Sequence, residues 1–196
     1  QPYRAAPATL ERGAVKSPVE LRAMTQEPPA MSAPLVVTGT WLRSSAQDGA
    51  VVEASFAQAV GVGVGDWITV DGIDGTRVPM RVIGIADTAD QGFYPQWTPG
   101  LIWVQHGLLT RVEANPAETL QIVGLRLFDN SAVATGQVVQ TIWNLYNGSG
   151  EYSAVERYST WQQVKNSMAS NDRLLGLLLA LFGIIALIAA PCAIAN

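Results

Sequence analysis

The chain has 196 residues, of which 48% are hydrophobic and only 14% are charged, and its formal net charge is −4. This length can form a domain with a sizeable core, and a mean hydropathy of +0.19 is high for a soluble protein. We therefore expect part of the chain to lie in a membrane. The negative charge and the lack of a basic stripe exclude nucleic acid as an expected partner.

Residues 1–34 are predicted to be an irregular N-terminal segment, and the sequence is expected to be an excerpt from a longer chain. Proline lacks the backbone donor that strands and helices use. This segment holds Pro2, Pro7, Pro18, Pro28, Pro29 and Pro34. Only Val19–Met24 is predicted as a short strand here.

A β-rich subdomain is predicted over residues 35–118. Four segments rich in β-forming residues are predicted as strands. These segments are Leu35–Gly39, Trp67–Asp71, Arg77–Ala86 and Leu101–Val104. In the third strand Val78, Met80 and Val82 face one side, and Asp71–Gly75 before it is a predicted hairpin turn. We expect this unit to be mostly antiparallel, with one helix.

The helix of this subdomain is predicted at Val51–Val60, where apolar residues recur at helical spacing. Three glycines follow it, at Gly61, Gly63 and Gly65. A phosphate-binding loop needs a strand before its glycines and a helix after them, and here the order is reversed. Gly61 is therefore predicted to end the helix as a left-handed cap, and the other two glycines to turn the chain into the next strand.

A β-α-β unit, similar to a porter subdomain, is predicted over residues 119–158. Its strands are predicted at Leu120–Leu127, with a bulge at Gly124, and at Tyr152–Tyr158. The helix between them is expected to be capped by Asp129, Asn130 or Ser131 and to end at Asn147 and Gly148. Its predicted apolar face consists of Val138, Val139, Ile142, Trp143, Leu145 and Tyr146.

A stalk helix is predicted over residues 159–173, and it continues into a transmembrane helix at 174–195. The second segment carries no charged side chain. It would be about 33 Å long, which exceeds the ~30 Å of a hydrocarbon core. Small residues four apart let another helix approach closely, and they mark the predicted packing face of this helix. They are Gly176, Ala180, Ala186 and Ala190.

The residues that could carry chemistry do not form a catalytic pattern. Cys192 lies inside the apolar segment and His106 stands alone, so neither a thiolate metal cluster nor a Ser-His-Asp triad is predicted. Asp71 and Asp74 lack the alternating spacing of a calcium loop and are interpreted as turn residues. We therefore expect no enzyme activity, no metal and no cofactor in this chain.

A loop at Gln91–Gly100 is the predicted contact surface. It carries Phe93, Tyr94 and Trp97 together with Pro95 and Pro99. Aromatic residues in loops are enriched at interfaces, so the hypothesis is that these three meet a lipid headgroup layer, a hydrophobic substrate or a partner protein. The alternative is that the loop folds back over the β-rich subdomain as a lid.

Five motifs follow one another in a fixed order along the chain. They are Gly39–Arg43, Val51–Ala57, Gly61–Asp66, Arg81–Ile85 and Ile102–Val104. In this order they resemble the extracytoplasmic domain of MacB/FtsX-type ABC transporter permeases. The later motifs, Tyr158–Gln162, Asn171–Arg173 and the apolar segment, resemble the start of the second transmembrane helix of that family. The resemblance covers about residues 35–196.

This resemblance implies a permease subunit in the cytoplasmic membrane, with an α+β domain of the MacB-like type on the extracellular or periplasmic side. A separate ABC ATPase subunit would hydrolyse ATP, and a second permease copy or homologue would complete a dimer. Movement of the long helices would couple that hydrolysis to export or to mechanotransmission, as in permeases of the MacB, FtsX or LolC type. The substrate would be hydrophobic, a lipid or a peptide. The chain departs from the family in showing only the second of two β-α-β halves.

Two other functions stay open from the sequence. The first is a single-span, membrane-anchored extracellular binding or adhesion module, which would lack the other three helices. The second is a membrane-tethered enzyme, which the missing catalytic pattern disfavours.

Overall fold

The computed structural model describes residues 2–24, 28, 33–43, 48–89, 91–113 and 120–147. The chain divides into two units, Gln1–Arg126 and Leu127–Asn196. The described residues combine eight strands with three helices, so the fold is mixed α and β. The predicted stalk helix, the predicted transmembrane helix with its small-residue face, and the predicted strand Tyr152–Tyr158 lie outside the described residues. Within the described part, no helix has both the length and the apolarity needed to cross a membrane.

The elements follow one another in this order: β1 Pro2–Arg12, β2 Val15–Met24, β3 Leu35–Gly39, β4 Gly49–Glu53, α1 Ala54–Val60, β5 Trp67–Asp71, β6 Arg77–Asp87, β7 Gly100–Gln105, α2 His106–Val112, β8 Leu120–Val123 and α3 Ala132–Asn147. All of them except α3 belong to the first unit.

The sheet of the first unit closes on itself. Six strands pair in the order β2-β7-β4-β6-β5-β1, and β1 pairs again with β2. The strands β3 and β8 extend the sheet by pairing with β6 and β1 respectively. Six of the eight pairings are antiparallel, and β2–β7 and β4–β6 are parallel. The prediction of a mostly antiparallel unit is therefore confirmed.

The prediction of an irregular N-terminal segment is wrong for residues 2–24. These residues form the long hairpin of β1 and β2, in which Pro7 faces Glu20 and Pro18 faces Thr9. Pro7 lies in the gap between the β8 ladder and the β5 ladder of β1, and Pro18 lies just before the β7 ladder of β2 begins. Proline is tolerated in a strand where no neighbouring strand needs its missing N–H, which explains why these prolines do not break the hairpin.

The predicted helix at Val51–Val60 begins three residues later than expected. Val51 and Val52 lie in β4, where they are fully buried between β6 and β7. A central strand that is buried on both faces reads as a continuous apolar run, which periodicity alone cannot separate from a helix. The predicted end of the helix is confirmed, because Gly61 adopts φ +66° and closes α1.

Three other predictions agree closely with the structure. The strand Trp67–Asp71 has the predicted bounds, and it forms an antiparallel hairpin with β6. Val78, Met80 and Val82 are all buried on one face of β6. Ser131 caps α3 by accepting a hydrogen bond from the Ala134 N–H at 3.2 Å.

The region around β8 differs from the prediction. The strand ends at Val123 instead of Leu127, so the expected bulge at Gly124 falls after it. It pairs with β1 and so belongs to the sheet of the first unit, whereas the predicted subdomain boundary lies at residue 119. The first unit also has a second helix, α2, that was not predicted.

Two hydrophobic clusters stabilise the first unit. The larger one fills the closed sheet and includes Leu10, Leu21, Val70, Met80 and Ile102, with Phe56 of α1 and the apolar side of α2. The smaller one lies on the outer wall, where the segment before β4 covers Trp103 and Val51 with Trp41 and Leu42. The Trp41 and Trp103 rings are 5.6 Å apart.

The closed sheet has two ends, which we name the α1 end and the α2 end after the helices that follow β4 and β7. Because β4 and β7 are antiparallel, β4 ends where β7 begins. The α1 end therefore carries α1, the β1–β2 turn and the loop between β6 and β7. The α2 end carries α2 and the turn between β5 and β6. Pro2 pairs with Val123 at the α2 end, so the first strand enters and the last strand leaves the sheet there.

Candidate contact loop

The loop that joins β6 to β7 at the α1 end presents two aromatic side chains to solvent. Phe93 is 70% exposed and Trp97 is 50% exposed, whereas Tyr94 between them is half-buried. We call residues 91–99 the contact loop. The three aromatic residues that the sequence grouped together therefore differ in exposure, because only Phe93 and Trp97 face solvent.

The contact loop is compact. The Trp97 N–H donates to the Phe93 carbonyl at 2.9 Å, which closes a turn between the two exposed aromatics. A Cβ atom on Gly92 would lie 3.0 Å from the Trp97 ring, so the indole lies directly against the backbone of the loop. These contacts hold Trp97 in place although half of its surface remains open.

Tyr94 anchors the contact loop to the body of the unit. Its ring meets the buried Phe56 ring edge to face, with the centroids 4.9 Å apart and the planes at 77°. Its backbone N–H donates to the Ser55 hydroxyl at 2.8 Å. Tyr94 therefore points inward as the lid alternative expects, while Phe93 and Trp97 stay outside.

Glu53 lies beneath this anchor and is only 3% exposed. It is the last residue of β4 and the N-cap of α1. Its carboxylate accepts hydrogen bonds from the Ser55 N–H at 3.0 Å, the Phe56 N–H at 2.8 Å and the Ser55 hydroxyl at 2.6 Å. A buried carboxylate is costly unless such donors satisfy it, and here three of them do.

Gly100 closes the contact loop at the start of β7. A Cβ atom at this position would lie 2.4 Å from Cδ2 of Phe56. Only glycine leaves room for the Phe56 ring there, because no side-chain carbon tolerates so short an approach. Phe56 thus supports the contact loop both at Tyr94 and at its end.

Other apolar side chains are exposed at the same end of the sheet. Val15 in the β1–β2 hairpin is 53% exposed, Val64 is 43% exposed, and Trp67 at the start of β5 is 64% exposed. Arg12 forms an ion pair with Asp66 at 3.5 Å and also donates to the carbonyls at the end of α1. Its charge is therefore engaged within the unit.

The outer wall formed by the β1–β2 hairpin and the β5–β6 hairpin carries a polar cluster. Glu11 forms ion pairs with Lys16 and Arg77, and Arg77 also reaches Asp71 at 3.2 Å. The hydrogen bond from Lys16 is the main cause that lowers the pKa of Glu11, and the same bond raises the pKa of Lys16. All these groups are near solvent, so their ion pairs contribute little to the stability of the fold.

The turn between β5 and β6, at residues 72–76, is stabilised by its own residues. Asp74 accepts from the Thr76 hydroxyl at 2.6 Å and from the Thr76 N–H at 2.9 Å. These two hydrogen bonds lower the pKa of Asp74 below its usual 3.8. Gly75 takes the left-handed conformation with φ +83°. The interpretation of Asp74 as a turn residue therefore agrees with the structure.

The described residues contain no group of three or more His, Cys, Asp and Glu side chains that could hold a metal ion. His106 is exposed at the first position of α2. The contact role of Phe93, Tyr94 and Trp97 stays a prediction. Sequence reasoning missed Glu53 and Ser55, because glutamate is not among the residue types that commonly cap the N-terminus of a helix.

No protein-family model and no curated protein matches the chain. Among solved structures, the extracellular domain of the noncanonic ABC-type transporter YknZ from Gram-positive bacteria is 13% identical, with a TM-score of 0.43 and 76% of each chain covered. The periplasmic region of MacB from Actinobacillus actinomycetemcomitans is 16% identical, with a TM-score of 0.42, covering 74% of this chain and 65% of that one.

A domain of a permease protein from Porphyromonas gingivalis is 13% identical, with a TM-score of 0.40, and the match covers 74% of this chain and 69% of that one. The structural neighbours of this chain thus include extracellular and periplasmic domains of the kind that its sequence motifs resemble. This likeness is distant, and the function proposed below rests on the residues of the chain itself.

Proposed function

We propose that this chain is part of the permease subunit of an ABC transporter, and that its folded domain lies on the extracellular or periplasmic side of the cytoplasmic membrane. Two features of the chain support this function. The ordered motifs resemble MacB/FtsX-type permeases, and the apolar segment at 174–195 is long enough to cross a bilayer. The ATPase would be a separate subunit on the cytoplasmic side, and a second permease copy or homologue would complete the assembly.

In this function the contact loop is the surface that meets a substrate or a partner outside the membrane. The observation that carries this role is the exposure of Phe93 and Trp97 on a loop whose backbone is held from below. Exposed aromatic anchors on a rigid support are typical of binding surfaces, because little conformational freedom is lost when they bind. The loop lies at the end of the sheet opposite to Pro2 and Val123.

The permease function predicts a specific partner. Full-length protein that carries an affinity tag, purified from native membranes in mild detergent, should bring down an ATPase with phosphate-binding motifs. That complex should hydrolyse ATP. If purification yields the protein without any ATPase, and the intact gene encodes a single apolar span, the anchored binding module becomes the better function.

The contact role has its own test. Phe93→Ser and Trp97→Ser together should leave folding intact, because both side chains are exposed and such surface changes usually alter stability by about 0.5 kcal/mol or less. They should reduce transport, or the substrate response of ATP hydrolysis, by at least about tenfold if the pair contributes the few kcal/mol of a small binding hot spot.

The matched control is Trp67→Ser, which removes an equally exposed aromatic residue at the start of β5. Unchanged transport in the double variant, with folding preserved, would remove the contact role but not the permease function. Loss of transport in the control as well would mean that general surface apolarity, and not the contact loop, matters.

A further inference from the structure

We infer that Glu53 and Ser55 are positioning residues for the contact loop, and that they act by fixing the backbone of Tyr94. Neither residue belongs to the exposed surface itself. Together they form a hydrogen-bonded chain that runs from a buried carboxylate, through one hydroxyl, to the middle of the loop. The inference rests on the proposed function only in naming Phe93 and Trp97 as the residues that make contact.

The direction of each hydrogen bond in this chain is determined by chemistry. A serine hydroxyl has one proton to donate, and an ionised carboxylate can only accept. The Ser55 proton therefore goes to Glu53 at 2.6 Å, and a lone pair on the Ser55 oxygen is left for the Tyr94 N–H at 2.8 Å. An oxygen that donates to a carboxylate becomes a better acceptor, so the Glu53 charge strengthens the bond to Tyr94.

Glu53 is itself held in place from two directions. As the N-cap of α1 it binds the N–H groups of Ser55 and Phe56. As the last residue of β4 it continues a strand that is buried between β6 and β7. The hydrogen-bonded chain to Tyr94 thus begins at a residue that is held both by a sheet pairing and by the start of α1, and the loop is fixed to that residue.

The same helix holds the loop by packing. Phe56, next to Ser55, touches the Tyr94 ring and lies against Gly100 at the end of the loop. The contact loop is therefore fastened at its centre by one polar bond and one ring contact, and at its end by close packing. Phe93 and Trp97 lie on either side of the fastened residue, and both are exposed.

This arrangement explains how a loop can keep aromatic side chains in water. Free apolar side chains on a mobile loop would turn inward to bury their surface. Anchoring Tyr94 by its backbone directs one aromatic ring inward against Phe56, while Phe93 and Trp97 on either side of it stay exposed. A binding surface that is ordered before its ligand arrives loses less entropy when it binds.

The test uses the full-length protein in detergent micelles and follows hydrogen exchange of the Tyr94 amide by peptide mass spectrometry. Ser55→Ala removes the acceptor for that amide while leaving both backbone donors to Glu53. Loss of one such bond should speed local exchange by about five- to tenfold. Hydroxyl-radical labelling of Phe93 and Trp97 should change in the same variant, because the two side chains lose their support.

Ser55→Thr keeps the hydroxyl and should restore the slow exchange. The matched control is Ser131→Ala, which removes another hydroxyl that accepts a hydrogen bond from a backbone N–H and should leave Tyr94 unchanged. Glu53→Gln keeps the shape of the carboxylate without its charge, and it should give an intermediate rate. Equal exchange of the Tyr94 amide in wild type and Ser55→Ala would overturn the inference.

The outcome is separate from that of the contact test. If Ser55→Ala loosens Tyr94 but transport survives Phe93→Ser with Trp97→Ser, the positioning chain stands and the contact role fails. If Ser55→Ala leaves Tyr94 unchanged but the double variant loses transport, the contact role stands and Glu53 serves only as the cap of α1.

Discussion

The contact loop and the β5–β6 turn both connect strands of the same closed sheet, but they are held in different ways. The turn is held mainly by hydrogen bonds among its own residues, which the Thr76 N–H and hydroxyl donate to Asp74 and the Gly75 N–H donates to the Gly72 carbonyl. The contact loop is held by side chains of α1, which lie about forty residues earlier in the chain. One connection is local and the other depends on tertiary contacts.

This difference shows what each connection can do. A turn with its own hydrogen bonds keeps its conformation without side chains from distant segments, and it exposes one large apolar side chain, Ile73. A loop that depends on buried neighbours can expose apolar side chains, because the neighbours supply the order that the loop lacks. Substitutions in the core should therefore change the contact loop and leave the turn as it is.

The largest expected effect comes from Phe56→Ala. Phe56 is fully buried, and removing its ring should lower the free energy of unfolding by about 3–5 kcal/mol. It should also release Tyr94, so hydrogen exchange at residues 91–99 should rise more than exchange at residues 72–76. Denaturant unfolding and peptide-resolved exchange measure the two effects. Equal acceleration at both connections would mean that the contact loop has no special dependence on α1.

Gly100→Ala should have the next largest effect. The new methyl group would overlap the Phe56 ring, and overpacking of this kind costs about 1–3 kcal/mol. The matched control is Gly107→Ala in α2, where a Cβ atom meets nothing within 4 Å. That control should be neutral or stabilising by up to about 1 kcal/mol, since alanine favours helices. A stable Gly100→Ala variant would show that Phe56 can move aside without cost.

Gly75→Ala tests the turn in the same way but through the backbone. A Cβ atom would meet no neighbour, but φ +83° is unfavourable for alanine, so we expect a loss of about 1–2 kcal/mol. Gly63→Ala, where no positive φ and no close neighbour exists, should change the denaturant midpoint very little. Exchange at the contact loop should stay as in wild type, and faster exchange there would contradict the separation of the two connections.

The smallest effect is expected from Asp74→Asn, and it depends on pH. The pKa of Asp74 is lowered in the folded state, so its contribution to stability is present above about 3.8 and is lost as the pH falls through the folded pKa. The variant should be slightly less stable than wild type at neutral pH, and the two midpoints should converge in acid. Thr76→Ala, which removes one donor, should show part of the same change. A constant difference at all pH values would exclude this carboxylate as the source.

The sequence by itself determined the elements whose signals are local. Alternation defined β5 and most of β6, Gly61 defined the end of α1, and Asp74 with Gly75 defined the turn between the two strands. In each case the residue type satisfies a requirement of the backbone only a few positions away. Examples are a left-handed φ and a side-chain oxygen that accepts from an N–H two residues later. The apolar segment at 174–195 is also a local signal, although it lies outside the described residues.

Only the tertiary structure decided which strands pair and which side chains are buried. Pro7 and Pro18 are compatible with strands because the neighbouring ladders leave gaps beside them, and no local pattern shows where another strand stops. Val51 and Val52 form a strand because β6 and β7 lie on both sides of them. The exposure of Phe93 and Trp97 likewise follows from contacts between distant segments, since burial is a property of the packed sheet and not of the residue.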